Sequence, residues 1–128
     1  MSGGGGFVVH VVDDDADVRT GFTRLLRSAG LDVRAYASAE RFLDQVDSAA
    51  PGCILLDVSM PGMNGPDALM HLKDKRDSLP VIVVSARDTE TVQRLVGALG
   101  AQMFLRKPVD DQALLDAINW VTRSHLDH

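Results

Sequence analysis

The sequence is poor in cysteine, aromatic residues and long apolar runs, and each shortage excludes a class of protein. Cys53 is the only cysteine, so no disulfide can form within the chain. Aromatic residues make up only 5% of the chain, so the core must be aliphatic. No apolar run approaches the roughly 20 residues needed to span a bilayer, and the N-terminus lacks a basic-then-apolar signal pattern. We therefore expect a cytoplasmic protein with no membrane contact.

Positive charge is also scarce. The chain has 13 basic and 18 acidic residues, a net charge of -5. Nucleic-acid phosphates need clustered Lys and Arg, so direct binding of DNA or RNA by this chain is not expected. The chain has 128 residues and a hydrophobic content of 45%, which fits one globular domain. The glycines of segment 1–6 precede the first predicted strand, so they predict a flexible segment and not a nucleotide-binding loop.

Five short apolar runs alternate with segments of helical period. The runs are Phe7–Val12, Leu31–Tyr36, Cys53–Leu56, Val81–Val84 and Met103–Leu105. In the first predicted helix the residues at helical spacing are Val18, Phe22, Leu25, Leu26 and Ala29, and Gly30 supplies the stop. The core stripe of the last predicted helix is Leu114, Ala117, Ile118 and Val121. Ser38 is placed to cap the second helix, the third runs from Pro66 to Arg76, and the fourth ends at Gly100. Strict alternation of strand and helix predicts an α/β fold with a parallel five-stranded sheet.

Polar residues end four of these runs. They are Asp13-Asp14, Asp57, Ser85 and Lys107. The carboxyl ends of parallel strands share one edge of a sheet, so these side chains are expected to meet there. Asp15 is better explained as a helix cap.

Three crowded carboxylates favour a divalent cation, because they otherwise repel one another. All-oxygen ligands suit Mg²⁺ or Mn²⁺, and the absence of His and Cys from the set argues against zinc. A carboxylate can attack a phosphoryl group without a general base, while the metal and the Lys107 ammonium neutralise its oxygens and Ser85 donates a hydrogen bond. The residues therefore predict formation of an acyl phosphate.

Four motifs carry a resemblance to a known family. VVDDD (11–15), LLDVSMPGMNG (55–65), VVSA (83–86) and LRKP (105–108) occur in the order found in receiver domains of response regulators in bacterial two-component signalling. The chain most resembles receivers of the nitrogen-fixation regulators, which precede helix-turn-helix output domains. The resemblance covers residues 7–123, leaving 1–6 as a flexible segment and 124–128 as a tail. It implies a doubly wound (βα)5 fold of flavodoxin-like strand order 2-1-3-4-5.

The resemblance also implies roles for individual residues. Asp57 would accept the phosphoryl group, and Asp14, Asp57 and the backbone carbonyl of Ser59 would bind Mg²⁺ directly. Asp13 would act through metal-bound water. Lys107 would pair with Asp57 at rest and with the phosphoryl group afterwards, across a cis bond to Pro108. The switch residues would be Ser85 and Phe104.

The chain departs from the commonest pattern of the family in the switch and in the flanks of the site. Ser85 stands where Thr is usual, which keeps the hydroxyl but loosens its rotamer. Phe104 lacks the hydroxyl of a Tyr. Ser59 and Arg87 flank the reaction site, where side chains tune the lifetime of the phosphoryl group.

The leading hypothesis is a phosphorylation-driven switch and not an enzyme acting on a separate substrate. A histidine kinase or phosphotransfer protein would supply the phosphoryl group. The surface built from the fourth helix, fifth strand and fifth helix would then change, promote homodimers and control an output, expected to be transcription. One alternative is a pseudo-receiver that only binds a partner. The other is an aspartyl-phosphate phosphatase or phosphotransferase, which typically needs a second acid where Ser59 stands.

Overall fold

The structure, a computed structural model, describes residues 7–45, 51–57, 79–86, 94, 97 and 101–126. These ranges contain β1 (Val8–Val12), α1 (Ala16–Ser28), β2 (Asp32–Tyr36), α2 (Ala39–Gln45), β3 (Gly52–Asp57), β4 (Val81–Ser85), β5 (Met103–Arg106) and α3 (Asp111–Leu126). Arg94 and Gly97 are also helical, in agreement with the fourth predicted helix. The expectations for segment 1–6, for the loop at 60–66 and for the helix from Pro66 lie outside the described residues.

The five strands form one parallel sheet in the order β2-β1-β3-β4-β5. The fold class and the strand order are therefore confirmed. Every residue of β3 and β4 is buried, as the unbroken apolar runs of central parallel strands predict. β2 lies at an edge, and only Val33 and Tyr36 of its five residues are buried. Within the described residues, no helix is both long and apolar enough to cross a membrane.

Successive side chains of the strands point to opposite faces of the sheet, so two hydrophobic clusters form. One cluster joins the sheet to Phe42 of α2, and its other members are Val12, Tyr36, Ile54, Leu56, Leu79, Val81 and Val83. The other joins the sheet to α1 and α3, and its members are Val9, Val11, Leu26, Val33, Cys53, Leu55, Ile82, Val84, Leu114, Ala117, Ile118 and Val121. Helices therefore cover both faces, as in a doubly wound fold.

The ends of the helices follow local signals in the sequence. The Asp15 carboxylate accepts hydrogen bonds from the amides of Asp17 at 2.9 Å and Val18 at 3.3 Å, so it caps α1 as predicted. Gly30 follows α1 with a φ of 85°, a conformation that favours glycine. α1 ends at Ser28 with the exposed Ala29 as its C-cap, directly before the predicted stop at Gly30.

The strands differ from the predicted apolar runs at their ends. β3, β4 and β5 run on through Asp57, Ser85 and Arg106, each of which pairs with a neighbouring strand. Backbone pairing does not depend on side-chain polarity, so the ladder continues past the last apolar residue. β3 also begins one residue early, at Gly52, where a Cβ would overlap the carbonyl oxygen of Val8. Only glycine allows β1 and β3 to approach so closely there.

Candidate phosphoacceptor site

The ends of the strands place four of the predicted side chains at one edge of the sheet. The Asp13 amide donates to the Tyr36 carbonyl at 3.1 Å, which extends the β1–β2 ladder one residue beyond β1. The Lys107 amide donates to the Ser85 carbonyl at 2.9 Å, which extends the β4–β5 ladder in the same way. Asp57 ends β3 between them. Parallel pairing therefore aligns these residues although up to 94 positions separate them along the chain.

The charged side chains of this edge are in direct contact. The Lys107 Nζ lies 2.9 Å from Asp13 Oδ2 and 3.2 Å from Asp57 Oδ2. Asp13 and Asp57 are buried, whereas the neighbouring Asp14 is exposed. Carboxylate oxygens of Asp13, Asp14 and Asp57 all lie within 4.8 Å of one another. This hard, all-oxygen donor set fits a cation such as Mg²⁺ or Mn²⁺ and has no soft ligand for zinc.

Burial and charge shift the pKa values of this cluster. Burial raises the pKa of the Asp13 carboxyl, and the charge of Asp57 adds to the increase, although hydrogen bonds from the Asp15 amide and from Lys107 oppose it. For Lys107, burial lowers the pKa, but the hydrogen bonds and charges of Asp13 and Asp57 outweigh it, so the net change is upward. Lys107 therefore keeps its positive charge, whereas burial disfavours the ionised form of the Asp13 carboxyl.

Asp13 uses all four of its polar atoms. Besides the bonds of its amide and its Oδ2, its Oδ1 accepts from the Asp15 amide at 2.9 Å. Its carbonyl oxygen accepts from Nη1 of Arg19 at 2.7 Å. Arg19 was missed by the sequence analysis, because an arginine in the first turns of an amphipathic helix ordinarily reads as a solvated residue. The spacing of six residues from Asp13, across a capped helix start, is the signal that could have drawn attention to it.

Ser85 and Phe104 lie on the neighbouring strands β4 and β5. Ser85 is buried at the end of β4. Phe104 is half-buried and packs against the hydrophobic cluster that contains Val83, its register partner on β4. The Lys107-Pro108 peptide bond is cis. Ser59 and Arg87 lie outside the described residues.

A cleft of about 760 Å³ opens next to the site, between α1 and the segment that follows β5. Apolar groups dominate its walls, with Phe22 and Leu25 on one side and Pro108 and Val109 on the other. Lys107 lines the cleft as well as contacting the acids. The cleft and the polar site therefore share Lys107. On α3, Trp120 is a large apolar side chain that is 52% exposed.

Comparisons with known proteins agree with this geometry. The transcriptional regulatory protein TdiR of Thauera aromatica is 41% identical over 116 residues, which are 91% of this chain and 51% of TdiR. FixJ of Azorhizobium caulinodans is 40% identical over 110 residues, 86% of this chain and 52% of FixJ. This chain thus spans about half the length of these curated relatives.

Solved structures match as well. A structure titled FixJ-N superposes with a TM-score of 0.84 at 30% identity and covers 91% of this chain and 94% of its own. The response regulator StyR superposes with a TM-score of 0.83 at 36% identity, over 95% of this chain and 62% of StyR. The sequence profile of the response regulator receiver domain matches residues 9–119. This chain therefore belongs to the response regulator receiver family and is a regulatory domain homologous to those of two-component transcriptional regulators.

Proposed function

We propose that Asp57 accepts a phosphoryl group and that the resulting acyl phosphate switches the surface of the domain. One observation carries the proposal: the Lys107 ammonium bridges two buried carboxylates, Asp13 and Asp57, at the rim of the sheet. A buried pair of acids that shares one ammonium and lies beside a third, exposed acid is typical of a functional site and not only of a stabilising ion pair. Asp14, Asp57 and the Ser59 carbonyl would hold Mg²⁺, and Asp13 would contact it through water.

The reaction would be an in-line transfer. An oxygen of Asp57 forms a bond to phosphorus while the bond from phosphorus to the imidazole nitrogen of a phosphohistidine breaks, and the imidazole leaves with the electron pair and takes up a proton. Bound Mg²⁺ would supply neutralisation of charge on the transferred group. Lys107 would move from its carboxylate partners to a phosphoryl oxygen, and Asp13 would stay fixed by its other three hydrogen bonds.

The output would follow from movement of Ser85 and Phe104. A hydrogen bond from Ser85 to the phosphoryl group would draw the end of β4 inward, and Phe104 on the adjacent strand would fill the space left behind. The coupling is a shift of population between two packings. We expect a phosphorylated homodimer to form through a surface that includes α3, which carries the exposed Trp120. In a longer regulator like FixJ, this change would control transcription.

The phosphodonor would dock over the cleft beside α1. Lys107 contacts Asp57 and also lines the cleft, so we expect the donor to reach the site from the side of the cleft. The apolar walls fit a helical face of a histidine kinase or phosphotransfer protein. Gly21 lines the cleft and has open space around its Cα. We expect Gly21→Trp to slow transfer from a phosphorylated partner protein while transfer from a small acyl phosphate continues. Equal rates with both donors would argue against this docking surface.

The central test is phosphorylation of the purified protein with Mg²⁺ and acetyl phosphate, followed by intact-mass measurement. We expect a gain of one phosphoryl group that Asp57→Ala abolishes. Asp116→Ala is the matched control, because Asp116 is an exposed acid on α3, and it should still be modified. A gain that persists in Asp57→Ala refutes the assignment. No gain and no Mg²⁺ binding would indicate a pseudo-receiver, and turnover of a phosphate ester would indicate a phosphatase.

A further inference from the structure

We infer that Arg19 is a positioning residue for the cation site, acting through the backbone that joins Asp13 to Asp14. This inference rests on the proposed function, because it assigns Arg19 to the same site. Arg19 does not belong to the acid cluster. Its guanidinium instead holds the peptide group from which the exposed acid, Asp14, projects.

The contact is short and directed. Nη1 of Arg19 donates to the Asp13 carbonyl oxygen at 2.7 Å, a distance typical of a charge-assisted hydrogen bond. Arg19 is half-buried, whereas Arg24 and Arg27 on the same helix are exposed. A planar, permanently charged donor with restricted freedom is suited to fixing a carbonyl group.

This hydrogen bond is one of three that connect Arg19, Asp15 and Asp13 at the start of α1. The Arg19 amide donates to the Asp15 carbonyl at 3.0 Å, and the Asp15 amide donates to the Asp13 carboxylate at 2.9 Å. The side chain of Arg19 then returns to the Asp13 carbonyl. Both the amide and the guanidinium of Arg19 therefore bind the turn at 13–15, and this turn carries two of the three acids of the cluster.

The geometry explains why the position of the Asp14 carboxylate depends on these hydrogen bonds. Asp13 is buried and its carboxylate is held from two sides, by Asp15 and Lys107. Asp14 is exposed, so packing does not hold its side chain, and the direction of its Cα–Cβ bond is set by its own backbone. The Asp13 carbonyl belongs to the peptide group that includes the Asp14 nitrogen. Fixing that carbonyl sets the direction in which the Asp14 carboxylate leaves the chain.

Electrostatics and positioning predict opposite outcomes when Arg19 is neutralised. Removing a positive charge close to a cation site, by itself, strengthens binding of the cation. Loosening a group that orients a ligand weakens binding, typically by about 10- to 100-fold. The sign of the change in Mg²⁺ affinity therefore separates a positioning role from a general effect of charge.

The experiment measures Mg²⁺ binding by isothermal titration calorimetry without any phosphodonor, for wild type, Arg19→Gln, Arg19→Lys and the control Arg24→Gln. We expect about 10-fold weaker binding for Arg19→Gln, and unchanged or slightly tighter binding for Arg24→Gln. Arg19→Lys keeps the charge but lacks the planar fork, so we expect a loss of about threefold.

A second readout separates positioning from damage to the fold. In phosphorylation by acetyl phosphate, Arg19→Gln should need about 10-fold more Mg²⁺ for half-maximal rate but reach the wild-type rate at saturation. A general folding defect would instead lower the maximal amplitude at every Mg²⁺ concentration.

Several outcomes overturn the inference. One is that Arg19→Gln binds Mg²⁺ as tightly as wild type or more tightly, and another is that Arg19→Gln and Arg24→Gln have equal affinities for Mg²⁺. A third is that Arg19→Gln shows a lower phosphorylation amplitude without needing more Mg²⁺. If Arg19→Gln does not fold, wild-type affinity in Arg19→Lys overturns it. Failure of wild type to bind Mg²⁺ would refute the proposed function and this inference together, whereas the Arg19 outcomes leave the role of Asp57 intact.

Discussion

Replacing Lys107 by Met tests how strongly the acids depend on their internal cation. The substitution keeps an unbranched apolar stem of nearly the same length but removes the ammonium that contacts Asp13 and Asp57. Both carboxylates are buried, so they would be left with less compensation for leaving water. We expect the folded state to lose stability in the absence of metal.

The distances bound the size of this loss. With an effective dielectric constant of about 20, contacts at 2.9 and 3.2 Å are each worth roughly 5–6 kcal/mol before desolvation is subtracted. Removing one partner of a buried pair costs about 3–5 kcal/mol in measured cases. Lys107 keeps 20% of its side chain exposed, so water already screens part of its interaction with the two acids. We therefore expect Lys107→Met to lower the free energy of unfolding by about 2–3 kcal/mol.

Urea denaturation at pH 7 measures this loss, with EDTA in one series and Mg²⁺ in the other. Arg24→Met, which removes an exposed charge from α1, is the control and should change stability by less than about 0.5 kcal/mol. Added Mg²⁺ should stabilise Lys107→Met more than wild type, because it replaces the missing positive charge. A loss below about 1 kcal/mol without metal, or an equal response of both proteins to Mg²⁺, would refute this reasoning.

Four further outcomes are expected. Burial disfavours ionised Asp13, so its ionisation lowers the stability of the fold at pH values above its raised pKa, and this cost disappears as the pH falls toward the ordinary value of 3.8. In urea titrations, wild type should therefore gain stability relative to Asp13→Asn as the pH falls through that range. Gly52→Ala should cost about 1–3 kcal/mol, because the new methyl group meets the backbone of Val8. Gly21→Ala, with open space inside α1, should instead add about 0.5–1 kcal/mol in the same denaturation assay. Burial raises the pKa of the Cys53 thiol to about 12, so a thiol reagent at pH 8 should label it only at the rate of unfolding; rapid labelling of the folded protein would contradict its burial.

Much of the fold follows from local patterns in the sequence. Unbroken apolar runs marked the central strands because both faces of a parallel sheet are covered. The carboxylate of Asp15 and the freedom of Gly30 marked the two ends of α1 through short-range effects. The polar residues that close the apolar runs, Asp57 and Ser85, still pair in the ladder, because backbone pairing does not depend on side-chain polarity.

For the candidate site, the sequence determined which chemical groups stand at strand ends. Alternation of elements forces parallel strands, and parallel strands bring those ends to one edge. The contacts themselves depend on tertiary packing. The shorter contact of Lys107 is with Asp13 and not with Asp57, which depends on the exact depth of each carboxylate. The resemblance had emphasised Asp57 as its partner.

By itself, then, the sequence determined the fold class, the strand order implied by its motifs and the identity of the acids, hydroxyl and amine that line one rim. Only the tertiary structure decided that Gly52 lies inside β3 against Val8, and that the guanidinium of Arg19 reaches back to the turn. The physical reason is the distance along the chain over which each effect acts. Periodicity and capping act over a few residues, whereas close approaches and side-chain contacts depend on how whole elements pack in space.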